Sequence, residues 1–248
     1  MNFIPEIERF LKARHFKSVS PLAALIDMDG TLYDSMGNHA DAWLRMVTEL
    51  GIEATRDEFF MYEGRTGAST INIIFRRAYG RDATPEEIEE LYHRKTVYFA
   101  EMPPVKPMPG AKEMLDTLIR TGIKRVLVTG SGQSSLINRL DTDFPGAFSS
   151  VLRVTSRSVT HGKPHPEPFI RAMQLAGAKP SQCIAIENAP LGVKSASDAG
   201  VFTIAVTTGP IPRKEMENTG AAVIFPSMEE CASQLHILLY QLLTTSQS

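Results

Sequence analysis

The sequence predicts a doubly wound α/β fold, in which helices cover both faces of a parallel sheet. Two observations lead to this prediction. Beyond residue 100, short apolar runs alternate with amphipathic segments, a pattern typical of chains that form parallel sheets. Earlier in the chain, two carboxylates follow the first apolar run directly, and α/β folds place their chemistry at such strand ends.

The first strand is predicted at Leu22-Ala23-Ala24-Leu25-Ile26, because five apolar residues after Pro21 are too few for a core helix. Further apolar runs predict strands at residues 125–128, 151–154, 183–186, 201–206 and 222–225. The segments between them predict helices at residues 110–121, 132–140, 165–177, 190–199 and 228–241.

Residues 36–105 depart from this alternation and predict an all-helical inserted domain. Helical patterns cover residues 39–50, 66–79 and 85–101, and a proline-rich segment then leads back to the sheet. The core domain is therefore predicted at residues 21–35 and 106–248. Residues 1–20 are predicted to hold an accessory N-terminal helix, since Phe3, Ile7, Phe10 and Leu11 have helical spacing.

Composition narrows the range of partners. A net charge of −2 gives no electrostatic basis for binding nucleic acid or a membrane surface. The only cysteines are Cys183 and Cys231, too few for a disulfide framework, and Cys183 lies in an apolar run that predicts a buried thiol. No apolar stretch approaches ~20 residues, and the charged N-terminus is unlike a signal peptide. We therefore expect a cytoplasmic monomer that acts on a small molecule.

Four polar pieces fall at successive strand ends and suit phosphoryl transfer, a reaction that depends on positioning and charge neutralisation. The first is the pair Asp27 and Asp29. Asp27 is the predicted nucleophile, which would form an acyl phosphate. Asp29 is the predicted acid on the leaving group and base on the acceptor, so the two carboxyls should differ in protonation state.

The other three pieces predict how phosphate and a metal are held. Thr129 and the amides of Gly130 and Ser131 can donate to phosphate oxygens, and Lys163 supplies a positive charge. Glu187-Asn188 completes the set. Hard oxygen ligands around a phosphate favour Mg²⁺ over zinc.

These motifs resemble those of the haloacid dehalogenase superfamily. Asp27-Met28-Asp29-Gly30-Thr31 matches its first motif, and Thr129, Lys163 and Glu187-Asn188 match the others in order. The segments Gly162-Lys163-Pro164-His165-Pro166-Glu167 and Ala189-Pro190-Leu191-Gly192-Val193 resemble the β-phosphoglucomutase-like branch, whose helical cap domain matches the predicted insert.

The resemblance implies a role for each matching residue. Asp27 would be the nucleophile and Asp29 the acid and base. Asp27, the main-chain carbonyl of Asp29 and Asn188 would hold Mg²⁺, with Glu187 nearby. Thr129, Ser131 and Lys163 would bind the transferring phosphate.

The chain departs from the mutase pattern at two positions. Asn188 replaces the usual Asp and removes one negative charge, either as a tolerated swap or because Glu63 in the cap compensates. Gly67 stands where mutases carry an Arg for the second phosphate of a sugar bisphosphate. Arg65 is either a substitute for that Arg or a solvated loop residue.

Cap residues His39 and Lys95 match positions that mutases keep near the substrate. His39 would position Asp29, although a histidine at a helix start is often structural. Lys95 would face the substrate, or it would lie on a solvated face of its charged helix. The remaining histidines show no ligand spacing and receive no predicted role: His15, His93, His161, His165 and His236.

The preferred hypothesis is a Mg²⁺-dependent phosphohydrolase, closest in its cap motif to a pyrophosphatase offshoot of the mutase branch. Inorganic pyrophosphate is the lead substrate, or another small phosphate compound. β-Phosphoglucomutase, which interconverts β-glucose 1-phosphate and glucose 6-phosphate, is the alternative. A dehydrogenase is disfavoured because the loop after Thr129 lacks the third glycine of a dinucleotide site. A non-catalytic phosphate-binding protein is disfavoured because Asp27, Asp29 and Lys163 are all present.

Overall fold

The computed structural model describes residues 1–132 and 134–246, which form one parallel sheet, helices on both of its faces, and a helical insert. The strands are β1 (Ala23–Ile26), β2 (Lys124–Val128), β3 (Arg153–Val154), β4 (Cys183–Glu187), β5 (Phe202–Val206) and β6 (Val223–Phe225). The helices of the core are α1 (Ile4–Arg14), α6 (Ala111–Arg120), α7 (Ser134–Asp143), α8 (Glu167–Ala176), α9 (Pro190–Asp198), α10 (Arg213–Glu217) and α11 (Met228–Thr244). Those of the insert are α2 (Met36–Glu49), α3 (Arg56–Met61), α4 (Gly67–Tyr79) and α5 (Pro85–Ala100).

The strand order is β3-β2-β1-β4-β5-β6, and each neighbouring pair is parallel. The chain moves outward from β1 to one edge and then returns to build the other half from β4. Because β1 and β4 are neighbours, the order reverses between them, and such a switch point leaves a crevice at the carboxyl ends of the strands. The predicted doubly wound fold is confirmed, and the crevice opens where Asp27 follows β1.

Alternate residues of the central strands face two apolar layers. Ala24 and Ile26 pack with α1, α6, α7 and α11, whereas Ala23 and Leu25 pack with α8 and α9. All four residues are fully buried. A strand buried on both faces has no polar position, which explains why the sequence showed a continuous apolar run rather than an alternating one.

Short elements at the edges differ from the predictions. Strand β3 holds only Arg153 and Val154, since Val151 is 72% exposed and outside the sheet. Helices α3 and α10 were not predicted, because six and five residues are too few to show helical periodicity. Residue 133 of the predicted helix 132–140, and residues 247 and 248 of the predicted core domain, lie outside the described residues.

The insert between β1 and α6 forms α2 to α5, and the predicted helices at 39–50, 66–79 and 85–101 are confirmed within a few residues. Helix α5 begins with a capping box in which Thr84 and Glu87 bond each other's backbone amides. An apolar cluster that includes Trp43, Phe59 and Ile71 holds the insert together and extends to Val193 of the core. The helices therefore share packing with one another and with the sheet side of the crevice.

Both cysteines are buried and free, as predicted for Cys183. Burial raises the pKa of each thiol to about 12. Within the part of the chain that the structure describes, no helix has the length and apolar character needed to cross a membrane.

The N-terminal helix is part of the main core. Phe10 of α1 is 8% exposed and meets Phe202 of β5 edge to face, with ring centroids 5.0 Å apart. Arg14, at the end of α1, donates to the main-chain oxygen of Ser197 at 2.6 Å. These contacts fasten α1 to β5 of the sheet and to α9, which packs on it.

We predict that Phe10→Ala lowers the free energy of unfolding by about 3 kcal/mol, because it removes a buried aromatic ring and leaves a cavity. Urea unfolding followed by circular dichroism measures the change. Ile4→Ala on the same helix is the control, since Ile4 is 39% exposed and should cost well below about 1 kcal/mol. Equal losses for the two variants would contradict the core assignment of α1.

Candidate active site

The carboxyl ends of β1, β2 and β4 place the predicted strand-end residues around one cavity. Asp27 and Asp29 follow β1, Thr129 follows β2, and Asn188 follows β4. Cap helices close the opposite side, and about 40 Å³ of space remains between them. The predicted site residues in its wall are Asp27, Asp29, His39, Glu63, Arg65, Lys95, Thr129, Gly130, Ser131 and Asn188.

Lys163 and Glu187 lie behind this wall. The Lys163 ammonium donates to Asp27 Oδ1 at 2.6 Å, to the main-chain oxygen of Val128 at 2.9 Å, and to Glu187. Glu187 Oε2 accepts from the amides of Asn188 and Ala189. Both oxygens of Glu187 are thus engaged, so the carboxylate orients Lys163 and the start of the loop after β4.

Lys163 retains its proton because its two carboxylate partners outweigh the cost of burial. Burial opposes the charged form, but Asp27 and Glu187 raise the pKa of Lys163 well above its ordinary value. The side chain therefore presents a fixed positive charge to Asp27, at the point where a transferring phosphate would sit.

The loop after β2 uses two of its backbone amides, including the Ser131 amide predicted to bind phosphate, for hydrogen bonds within the protein. Thr129 Oγ1 accepts from the amide of Ser131 at 2.9 Å, and the hydroxyl of Tyr92 in α5 accepts from the amide of Gly132. A Cβ on Gly130 would collide with the main-chain oxygen of Gly64 in the cap. The absence of a side chain at Gly130 thus lets the cap loop rest directly on the core loop.

Asp29 ends a chain of polar contacts that begins in the cap. Lys95 Nζ lies 2.5 Å from His39 Nδ1, and His39 Nε2 lies 2.9 Å from Asp29 Oδ1. Since Lys95 can only donate, His39 accepts at Nδ1 and donates from Nε2 to Asp29. Ser35 also donates to the same carboxylate oxygen at 2.7 Å.

Burial and Lys95 lower the pKa of His39, so the imidazole that bonds Asp29 is neutral. For Asp29, burial favours the neutral carboxyl, but His39, Ser35 and Lys95 outweigh it and lower the pKa below its ordinary value. Asp29 is therefore held as an anion in this closed arrangement.

Lys95 is an ammonium in an apolar surrounding. It is 2% exposed, and its Nζ lies 5.4 Å from the centre of the Trp43 ring and 5.1 Å from that of Phe99. Burial lowers its pKa to about 8, although Asp29 and Glu63 favour the charged form. The solvated-face alternative for Lys95 does not fit this position.

Asp27 and Glu63 are two carboxyls of the site whose anionic forms are disfavoured. Burial, then Glu187, raises the pKa of Asp27 to about 8 despite Lys163. Glu63 lines the cavity, and burial together with Asp29 raises its pKa well above its ordinary value. The two aspartates do differ in pKa, but in the order opposite to their predicted roles, because Asp27 is the one disfavoured as an anion.

The donor set fits a divalent cation. Among the described residues, the four carboxylates of Asp27, Asp29, Glu63 and Glu187 converge with two lysine ammoniums, and the Arg65 guanidinium lies in the cavity wall. Buried excess negative charge of this kind is offset when a cation binds. Oxygen donors from carboxylates and an amide suit Mg²⁺.

Asn188 is one of the two departures from the mutase pattern, and Arg65 lies two residues before the other, Gly67. Asn188 is fully buried, its Nδ2 donates to the sulfur of Met36 at 2.8 Å, and Thr31 Oγ1 donates to its Oδ1 at 3.4 Å. Arg65 lines the cavity and bonds Ser69 at 3.2 Å, while its buried Nε has no partner among the described residues.

Ser35 and Tyr92 are site residues that the sequence analysis missed. Tyr92, Lys95 and Phe99 stand at i, i+3 and i+7 on α5, so the helical period of the buried face was the available signal for Tyr92. Ser35 precedes α2 and had no comparable signal, because its bond to Asp29 depends on how the chain turns after β1.

Comparison with known proteins shows the family of the chain. The sequence profile of haloacid dehalogenase-like hydrolases matches residues 22–200, which hold the motifs after β1, β2 and β4 and the whole insert. The chain belongs to the haloacid dehalogenase-like hydrolase family. Its six-stranded parallel sheet and surrounding helices are the Rossmann-like fold of that family.

Relatives place the chain in the β-phosphoglucomutase-like branch. A Bacteroides vulgatus structure, provisionally described as a β-phosphoglucomutase, is 44% identical with a TM-score of 0.93 over 98% of both chains. Hexitol phosphatase A of Escherichia coli K12 is 29% identical over 73% of this chain and 81% of its own length. The β-phosphoglucomutase of Bacillus subtilis 168 is 27% identical over 75% and 84%. The chain is therefore similar to both phosphatases and phosphomutases.

We predict that Lys95→Met makes the metal-free protein more stable at pH 7, by about 1 to 3 kcal/mol. The folded state holds Lys95 at a pKa of about 8 against an ordinary 10.5, so burial of the ammonium opposes folding below pH 8. Between these values the unfolded chain binds more protons, and wild-type stability rises with pH. The advantage of the variant should therefore shrink toward pH 10, and loss of the bond to His39 offsets part of it.

Urea unfolding of chelator-treated protein across this pH range measures the effect. Lys112→Met, which replaces an exposed lysine, is the control and should leave stability nearly unchanged. A Lys95→Met protein less stable than wild type at pH 7 would show that the bond to His39 outweighs the burial penalty.

Proposed function

We propose that the protein is a Mg²⁺-dependent phosphohydrolase that acts through an aspartyl phosphate on Asp27, with inorganic pyrophosphate as its lead substrate. The observation that carries the proposal is the narrow, acidic cavity of about 40 Å³ between the cap and the strand ends. It has space for a few water molecules, which favours a compact anion over a hexose with two phosphates.

The cap reinforces this size limit at Gly67. A Cβ on Gly67 would collide with the ring of Tyr92, so no larger side chain fits there in the closed arrangement. Mutases of the branch that this chain resembles carry an Arg at that position for the second sugar phosphate. Tyr92 fills the space instead, and its hydroxyl bonds the Gly132 amide of the phosphate loop.

The position of Glu63 suits a substrate that binds together with a metal ion. Its carboxyl faces Asp29, Asp27 and Lys95 across the cavity, and burial disfavours its anion. Asn188 supplies an oxygen ligand without charge, so Glu63 would restore the charge that the substitution removes. We propose that Asp27, the main-chain carbonyl of Asp29, Asn188 and Glu63 hold the metal, which would neutralise the phosphate oxygens.

In the proposed first step, a carboxylate oxygen of Asp27 attacks one phosphorus of pyrophosphate. The bond from that phosphorus to the bridging oxygen breaks, and its electron pair leaves with the departing phosphate. Asp29 gives the leaving oxygen a proton, which requires that Asp29 take one up as substrate enters. Lys163, the hydroxyl of Thr129 and the amide of Gly130 hold the transferring phosphoryl group.

In the second step, water attacks the phosphorus of the aspartyl phosphate while Asp29 accepts a proton from it. The phosphorus–oxygen bond to Asp27 breaks and regenerates the carboxylate, and a second phosphate is released. His39 keeps Asp29 aligned through both steps, because its Nε2 already contacts the carboxylate and its other nitrogen is fixed by Lys95. Closure of the cap limits access to this one water.

β-Phosphoglucomutase activity is the second candidate, favoured by the description of the 44% identical relative and by Arg65 in the cavity wall. Arg65 has a buried Nε without a partner among the described residues, and it would have to serve the second phosphate in place of the Arg absent at Gly67. The cap would have to move away from the strand ends to admit the sugar, because the cavity between them is narrow.

A paired assay with Mg²⁺ distinguishes the two functions. One arm follows phosphate release from pyrophosphate, and the other follows glucose 6-phosphate formation from β-glucose 1-phosphate primed with the 1,6-bisphosphate. We expect kcat/KM above ~10⁴ M⁻¹s⁻¹ in the first arm alone, a usual value for a true substrate. Asp27→Asn should abolish this turnover and leave the circular dichroism spectrum unchanged. Efficient turnover in the second arm alone would identify a mutase instead.

Glu63→Gln tests the cap contribution to metal binding. We expect a higher Mg²⁺ concentration at half-maximal turnover, by about tenfold or more, because a charged ligand is lost. Glu53→Gln, in an exposed part of the cap, is the matched control and should leave the titration unchanged. An identical Mg²⁺ titration for wild type and Glu63→Gln would remove Glu63 from the metal site.

A further inference from the structure

The loop between β3 and α8 brings together two histidines that the sequence analysis left without a role. His161 and His165 flank Lys163, and a turn closed by the His165 amide and the Gly162 carbonyl folds the loop back on itself. Their rings lie 4.7 Å apart between centroids at an interplanar angle of 34°. Their spacing in the sequence is not that of a metal site, and the folded turn brings them together instead.

Glu167 completes a cluster of three metal-binding side chains. Its Oε2 lies 2.9 Å from His161 Nδ1, and one ligand atom of each of the three residues falls within 4.8 Å of the other two. We propose that His161, His165 and Glu167 form a second metal site, for a borderline transition-metal ion such as Zn²⁺, separate from the cavity that contains Asp27.

The distances suit coordination after a small adjustment. Nitrogen and carboxylate ligands at ~2.0 Å from a tetrahedral zinc ion stand about 3.3 Å apart. The distance between His161 Nδ1 and Glu167 Oε2 must therefore increase from 2.9 Å. The largest distance between two of the three ligand atoms, at most 4.8 Å, must decrease. Side-chain rotations suffice for both changes, because the two histidines are exposed.

Glu167 is held in place for this role by the backbone. Its Oε1 accepts from the amide of Thr160 at 2.7 Å, and Oε2 accepts from the amide of His161 at 2.9 Å. These bonds fix the carboxylate against the loop without requiring the His161 ring. A metal ion would replace the contact between Oε2 and His161 Nδ1 and would gain a preoriented ligand.

The ligand types indicate the class of ion. Two imidazoles with one carboxylate favour zinc, nickel or copper, whereas Mg²⁺ prefers oxygen ligands throughout. Three protein ligands leave a fourth tetrahedral position for water or an added anion. The site is thus chemically distinct from the all-oxygen donor set proposed around Asp27.

The proposed metal site lies on the loop that carries Lys163, so a bound ion would stabilise the conformation of that loop. The three ligands span residues 161–167, and a Cβ on Gly162 would collide with Thr66 of the cap. A bound ion would hold together the two arms of this loop and would stabilise the folded protein by mass action. This inference is independent of the proposed pyrophosphatase activity, since it requires no turnover.

The test measures Zn²⁺ binding by isothermal titration calorimetry in excess Mg²⁺, which keeps the oxygen-ligand site around Asp27 filled. We expect one Zn²⁺ per chain and a higher melting temperature when Zn²⁺ is present. His165→Asn and His161→Gln should each weaken binding by about tenfold or more, since even the loss of supporting groups costs this much. Asn at position 165 retains an acceptor for the Glu167 amide, which His165 Nδ1 now accepts at 3.2 Å.

His236→Gln, which replaces an exposed histidine on α11, is the matched control and should bind Zn²⁺ like wild type. Co²⁺ in place of Zn²⁺ should give visible absorption bands that His165→Asn abolishes. Circular dichroism verifies that each variant is folded. A wild-type protein that takes up no Zn²⁺ in excess Mg²⁺, or equal Zn²⁺ affinity for wild type and His165→Asn, would overturn the proposal.

Discussion

The ammonium of Lys163 is the contact on which the rest of the site depends. It reaches across the sheet to Asp27 after β1, the Val128 carbonyl at the end of β2, and Glu187 at the end of β4. Removal of both carboxylates would leave a buried ammonium without an anionic partner, a change that is strongly destabilising in proteins. Three adjacent strand ends are thus fixed relative to one another by one side chain that is 1% exposed.

The cap adds a second set of charges that the core alone does not balance. Lys95, His39 and Asp29 form a chain of contacts between α5 and the end of β1, and Tyr92 bonds the loop after β2. Because both lysines are buried beside carboxylates, the closed form is stable only while these groups keep their partners. Opening of the cap would separate Lys95 and His39 from Asp29 and would change the acidity of that carboxyl.

Much of the core followed from the sequence because its strands are buried on both faces. Runs such as Cys183–Ile186 are continuous and apolar, so the positions of the strands along the chain and the residues at their ends could be predicted. Strand β3 was overestimated, since Val151 belongs to an apolar run but lies in solvent. Periodicity describes single elements, and it detected α4 and α5 but not α3, which has six residues.

Contacts between distant segments were harder to predict than the elements. Ser35 and Tyr92 reach the site only through the way the cap folds back, and His161 meets His165 through a loop turn without regular spacing. The acidity order of Asp27 and Asp29 also depends on burial and on Glu187, which a sequence motif does not record. Residue identity at strand ends was therefore predictable, whereas orientation and charge balance required the fold.

Trp43, the single tryptophan of the chain, has a consequence for observing the protein in solution. It lines the cavity, stacks near Phe59 with ring centroids 6.3 Å apart, and lies beside the Lys95 ammonium. Indole emission responds to nearby charge and to water, and every photon that an indole emits from this chain originates at the cap–core boundary. The protein thus carries an intrinsic optical reporter of its own closure, with no label and no background from a second fluorophore of the same kind.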